Sequence, residues 1–228
     1  MEDSEIKSFL DSFIKARIEG VLRPLIELEA EVKPDDKYKG AAFFALSFDF
    51  MALFFCYVEF LGYLLNDGEK GKNLSKNAVD FLRRYFGQVN PKYREVGGLL
   101  YNIHRHGTVH QLRSKSIQLT DGTKVGWKIE SGSGGLSSEF HLTGYKMNGA
   151  AILTVSENSL WNDLASAVDI YYEDLCNDPG LRQNFEDAVR NLRTPDTEAE
   201  IRERGRNYIR DSDFDFIKNL PKFVADGE

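Results

Sequence analysis

The chain has 228 residues, with 29 Lys and Arg against 36 Asp and Glu, a net charge of −7 and 42% hydrophobic residues. A single domain of this length, with or without an elaboration, buries roughly two-thirds to three-quarters of its unfolded surface, so it needs neither disulfides nor a structural metal to fold. The acidic total excludes an indiscriminately basic surface and leaves open a local basic face.

Cys56, in an apolar run, and Cys176, near the end of an expected helix, read as reduced thiols. The acidic, amphipathic start MEDSEIKSFL lacks the order of a signal peptide and predicts a cytoplasmic protein. From Ser4 to about Glu31, apolar residues at three- and four-residue spacing predict an amphipathic helix that Pro24 kinks or divides. Ala41 to Leu65 is the most apolar stretch. Asp49 and Glu59 interrupt it, and the uncharged run between them is nine residues, so it reads as a buried core helix rather than a membrane span.

Asn66 to Asn73 is a loop, and Ser75 is an expected cap for a helix to Phe86 with Val79, Leu82 and Phe86 inward. Asn90-Pro91 opens a further helix carrying Val96, Leu99, Leu100 and Ile103 on one side, with Gly97 and Gly98 suited to close approach of a neighbour. The period then changes. Asp121-Gly122 and Asn148-Gly149 each sit between short alternating segments, predicting two hairpins within 116–155, joined by the flexible SGSGGLSS. Ser156 is the expected cap of a helix to Cys176 with Leu160, Leu164, Ala167, Val168, Tyr171 and Leu175 on its buried stripe. Helices at 181–192 and 196–209 follow, and 211–228 reads as a C-terminal tail. The whole, 1–228, is expected to be one mainly α domain, a helical bundle with a small antiparallel β insertion of two hairpins.

Three of the four histidines, His104, His106 and His110, cluster beside Arg105. On a regular helix His106 and His110 lie about 40° apart, and Arg105 and His110 about 140° apart. Three readings compete. A metal could be shared by histidines at i and i+4, but there is no HExxH pattern and no nearby cysteine pair. The histidines could instead satisfy local hydrogen bonds at a helix end, where the dipole favours positive charge. The third reading is phosphodiester chemistry, supported by local charge. From Leu82 to Lys128 nine basic residues, including Arg94, Arg113, Lys115, Lys124 and Lys128, face only Glu95 and Asp121, making the segment +7 and the remainder −14. Histidine moves protons near neutral pH and arginine neutralises charge on a phosphate, so together they can cleave RNA without metal or cofactor.

The run Arg105-His106-Gly107-Thr108-Val109-His110 resembles the R-x4-6-H motif of the HEPN superfamily, with the polar residue that usually follows the arginine. The resemblance covers roughly Ser4 to Leu112 and the helix after Ser156. It implies a HEPN-like helical bundle, often a homodimer with paired motifs lining one cleft. It also implies metal-independent endoribonuclease activity of the kind found in toxin–antitoxin, phage-defence or RNA-processing systems, with an antitoxin or other protein as a partner and no membrane association. On that resemblance Arg105 and His110 are the catalytic pair: Arg105 orients or neutralises the scissile phosphate and His110 acts as general base or acid. His106 supports them, and Arg113, Lys115, Arg94, Lys124 and Lys128 contact RNA. Other members are inactive and serve as nucleotide-binding or interaction scaffolds, which is the alternative. The 140° separation then requires either a helix distorted near Gly107 or convergence across a dimer interface.

Overall fold

The computed structural model describes residues 1–31, 39–66, 73–106, 116–130 and 140–220, in two compact units, 1–189 and 190–228. The first unit opens with α1 (Asp3–Phe9), two π-helical turns (Leu10–Lys15 and Ile18–Leu22) and α2 (Arg23–Glu31). Ile6, Leu10, Ile14, Ile18 and Leu22 are all buried, at a strict spacing of four. On a 3.6-residue helix that repeat drifts about 40° per step. The π turns hold more residues per turn and so keep the stripe facing the core. The second of them closes with the Arg23 N–H on the Ile18 carbonyl, immediately before Pro24. The helical run continues through Pro24, so the proline does not divide it.

The apolar stretch is α3 (Lys39–Leu65). Among the described residues it holds the one segment, Leu46–Leu65, long and apolar enough to cross a membrane, and 56% of its most apolar window is buried inside the protein. Phe50, Met51, Phe54, Phe55, Val58, Leu61 and Leu64 face the core, while Asp49, Leu53 and Cys56 form the outer stripe. Next come α4 (Leu74–Phe81), a π turn (Leu82–Phe86), the single turn α5 (Gly87–Val89), α6 (Lys92–Tyr101) and a π turn (Asn102–His106). The N-cap of α4 is Asn73, with φ 55°, rather than Ser75, which lies inside the helix. Pro91 is the N-cap of α6, and Asn90 just before it accepts from Lys92 N through Oδ1 at 3.1 Å. The expected close approach at Gly97 and Gly98 is present: a Cβ at Gly97 would lie 3.4 Å from Leu82 Cβ, and one at Gly98 3.6 Å from Val79 Cγ1. Leu99 is not inward, being 38% exposed.

Strands β1 (Ile117–Gln118), β2 (Lys124–Glu130), β3 (Thr143–Met147) and β4 (Ala150–Ser156) form one sheet in the order β1-β2-β4-β3. Both hairpins are present. Asn148 and Gly149 have φ of 50° and 77°, the two positive values that a two-residue type I′ loop requires. At the other turn Gly122 (φ 85°) donates to the Leu119 carbonyl and Leu119 N donates to the Thr123 carbonyl, a longer loop than two residues. The expected all-antiparallel insertion is corrected here. The sheet is mixed, because the second strands of the two hairpins pair in parallel, Lys124 opposite Ala150 through Glu130 opposite Ser156. Each hairpin thus leaves its first strand on an edge.

Strand β4 leads directly into α7 (Glu157–Asn177), capped by Ser156 Oγ, which accepts from Ser159 N at 3.3 Å. Its expected stripe is fully buried. Helix α8 (Pro179–Arg193) follows. The core of this unit is aromatic, with edge-on contacts between Phe54 and Phe86 at 5.9 Å, Phe81 and Tyr171 at 5.5 Å, and Phe86 and Tyr93 at 5.0 Å.

The second unit carries α9 (Glu198–Gly205) and α10 (Asp211–Lys218), so part of the expected tail is helical. Thr197 and Glu200 form a capping box, and Glu198 pairs with Arg202 at 2.7 Å and Lys218 at 3.0 Å.

Candidate functional site

The site begins with Arg105, in the π turn that ends α6. Its guanidinium meets the Glu59 carboxylate of α3 as a two-pronged fork, Nε to Oε1 at 2.8 Å and Nη2 to Oε2 at 3.0 Å. Tyr101, one turn earlier, donates to the same Oε1 and also lies 3.2 Å from Ser75 Oγ. The two side chains are 20% and 18% exposed, so the pair is mostly withdrawn from solvent. Burial works against the arginine's charge, but the Glu59 hydrogen bonds and charge outweigh it and raise its pKa. Burial, followed by the Glu59 contact, pushes the Tyr101 hydroxyl up to about 12. The fork uses Nε and Nη2 and leaves Nη1 without a carboxylate partner among the described residues. A rigid guanidinium with one edge uncommitted is suited to bind an oxyanion.

His104 belongs to the interior. It is fully buried, stacked 6.2 Å from Phe55 and edge-on to Trp127 at 5.0 Å. Burial lowers its pKa to about 3. Through Trp127, β2 packs directly beside the residue that precedes Arg105. Strand alternation then places Lys124 and Lys128 on the opposite, exposed face of β2, where Lys128 pairs with Glu130 at 2.6 Å. Arg94 sits near the start of α6, eleven residues before Arg105, or about 16 Å along a helix. Arg94, Lys124 and Lys128 are therefore not gathered around Arg105. The His106 backbone closes the π turn, while Gly107, His110, Arg113 and Lys115 lie outside the described residues. The helix distortion expected near Gly107 has a described counterpart just upstream, in the π turn Asn102–His106. Among the described residues no group of three or more His, Cys, Asp or Glu is arranged to hold a metal.

Two buried polar clusters escaped the sequence reading. His141 Nδ1 accepts from Ser156 N at 3.1 Å, which puts the ring proton on Nε2. That atom lies 2.8 Å from the Tyr93 hydroxyl, which donates to Asp163 Oδ2 at 2.8 Å. The chain His141–Tyr93–Asp163 thus ties the sheet to α6 and α7, and burial followed by the Asp163 charge raises the tyrosine pKa well above its ordinary value. The second cluster joins Glu29, Ser47 and Glu157. Ser47 Oγ donates to Glu29 Oε1 at 2.8 Å. Glu157 is fully buried, and neither of its carboxyl oxygens has a hydrogen-bond partner. Burial first, then the Glu29 charge, raises it to about 9. The only sequence signals were a lone histidine after the flexible connection and a glutamate in the first turn of α7.

No protein-family model, curated protein or solved structure matches this chain.

Proposed function

We propose that the protein is a metal-independent endoribonuclease of the HEPN type that acts as a homodimer, with Arg105 and His110 as its catalytic pair and His106 in support. The observation that carries this reading is the Arg105–Glu59 fork, which fixes an arginine at the first position of the R-x4-H motif with an edge uncommitted. In the reaction the 2′-oxygen of a ribose attacks the adjacent phosphorus, the P–O5′ bond breaks, and a 2′,3′-cyclic phosphate and a 5′-hydroxyl result. His110 takes the 2′-hydroxyl proton or returns one to the leaving oxygen, and Arg105 offsets the charge on the five-coordinate phosphorus. A second copy supplies the second histidine. Toxin–antitoxin or phage defence is the setting that this activity fits.

The experiment is incubation of purified protein with single-stranded RNA in the presence of a chelator. Wild type is expected to cleave, and His110→Ala and Arg105→Gln to fall by roughly a hundredfold or more. Equal cleavage by wild type and His110→Ala removes the assigned role.

One feature favours a second reading, a non-catalytic RNA- or nucleotide-binding or interaction scaffold. Glu59 already neutralises Arg105, and His104 is a core residue. RNA bound without cleavage by the wild-type protein selects this alternative.

A further inference from the structure

A second charged concavity lies away from Arg105, walled by the π turn Leu82–Phe86, α6 and the start of α8. Its volume is about 730 Å³, and Arg83, Arg84 and Arg94 line it together with Asp80, Asp178 and Asn184. Counting commitments decides its sign. Asp80 pairs with Lys76 at 2.6 Å. Asp178 turns Oδ1 onto Gly180 N at 2.9 Å and Leu181 N at 3.0 Å, capping α8. Arg84 pairs with Asp174 at 3.2 Å. Among the described residues Arg83 and Arg94 have no carboxylate partner. Two guanidiniums without a carboxylate partner thus line one cleft, where Asp80 is offset by Lys76 and Asp178 is held at the start of α8 through Oδ1.

The backbone beneath them is fitted to these side chains. A Cβ at Gly87 would lie 2.6 Å from Arg94 Cγ, and one at Gly98 would lie 3.3 Å from Arg83 Nη2. Glycine lowers helix propensity, but at both positions its lack of a side chain leaves the space an arginine uses.

We propose that this cleft is a phosphate-binding site in which Arg83 and Arg94 clamp phosphate oxygens supplied by an RNA backbone or by a free polyphosphate. The inference does not rest on ribonuclease activity, since a protein that cleaves nothing can still bind phosphate here. Arg83 and Arg94 are binding residues and not part of the Arg105 pair.

The test measures binding of tripolyphosphate, ATP and a short single-stranded RNA to the full chain, in chelator and across a salt series. It compares wild type with Arg83→Gln/Arg94→Gln, the charge-preserving Arg83→Lys/Arg94→Lys, and Gly87→Ala, which displaces Arg94 without removing charge. The glutamine pair is expected to bind roughly tenfold or more weakly, with the lysine pair and Gly87→Ala between it and wild type. If tripolyphosphate and ATP show this order, the source is a free polyphosphate. If RNA alone shows it, with the log–log salt slope reduced by about 1.4 for two lost phosphate contacts, the source is the RNA backbone. The proposal is overturned if none of the probes binds wild type, or if the glutamine pair binds them all as tightly as wild type. Far-ultraviolet circular dichroism confirms that each variant is folded.

Discussion

A buried tyrosine hydroxyl that accepts from one neighbour and donates to another holds three elements with one atom. Tyr93 does this between His141 and Asp163, and its ring separately packs 5.0 Å from Phe86. Tyr93→Phe keeps the ring and removes the hydroxyl, leaving the His141 Nε2–H without that acceptor in the interior. An unsatisfied buried donor costs about 1–3 kcal/mol, so the unfolding free energy of Tyr93→Phe should fall by that amount, seen as a lower urea midpoint with the slope unchanged. Glu59 is the corresponding residue at the candidate site. Glu59→Gln keeps the shape and loses one arm of the charged fork, so RNA cleavage should drop by up to about a hundredfold while Arg105 remains present. A Glu59→Gln protein as active as wild type would detach the fork from the reaction. Arg105 stood out in the sequence because its neighbours in the chain are histidines. Glu59 stood out only as a charge in an apolar run and His141 not at all, since Glu59 lies 46 residues from Arg105 and Tyr93 lies 48 residues from His141. A pairing at that separation leaves no local pattern.

Several elements were legible because their signal was local, although Ser75, an equally local signal, was not the cap of α4. The buried stripe of α7, its Ser156 cap and the Asn148-Gly149 loop are all decided by residues within one or two turns of each other. The parallel β2–β4 pairing is decided by how two hairpins dock on the helical body, and turn chemistry carries no information about that. The π turns were equally hidden, although the four-residue spacing of Ile6 to Leu22 is their trace. Glycines separate the two kinds of information cleanly. A Cβ at Gly62 would lie 2.5 Å from the Asn77 carbonyl carbon and 2.6 Å from Ala78 N, so α3 and α4 touch backbone to backbone there. Gly20 has nothing within 4 Å of such a Cβ. Gly20→Ala should therefore gain up to about 1 kcal/mol from helix propensity. Gly62→Ala gains the same propensity but forces two helices apart. Overpacking costs about 1–3 kcal/mol and here meets rigid backbone, so a net loss of about 1–2 kcal/mol is expected. Thermal melts of the two variants should move in opposite directions, and parallel shifts would contradict the close α3–α4 contact.

At the scale of the molecule, two buried ionisable groups in the first unit set opposing pH trends. Glu157 has an ordinary pKa of 4.5 and one of about 9 in the fold. Between those values the native state keeps a proton that the unfolded chain has released, so stability falls as pH rises, with a slope of up to about 1.4 kcal/mol per pH unit. His104 works in reverse, from an ordinary 6.5 to about 3 in the fold. Between those values the unfolded chain holds the extra proton, and stability falls as pH falls. Below pH 4.5 only the histidine trend acts, above 6.5 only the glutamate trend acts, and between the two they oppose, which places the maximum from these groups in that interval. Glu157→Gln keeps the volume and cannot ionise, so it removes the alkaline loss and leaves the acid limb intact. Urea midpoints measured from about pH 6.5 to pH 9, where only the glutamate trend acts, should decline for wild type and stay level for the variant, with the variant more stable by about 2 kcal/mol on the alkaline side. A wild-type profile as flat as that of the variant above neutrality would mean that Glu157 ionises in the fold without cost, and its burial would not hold the proton.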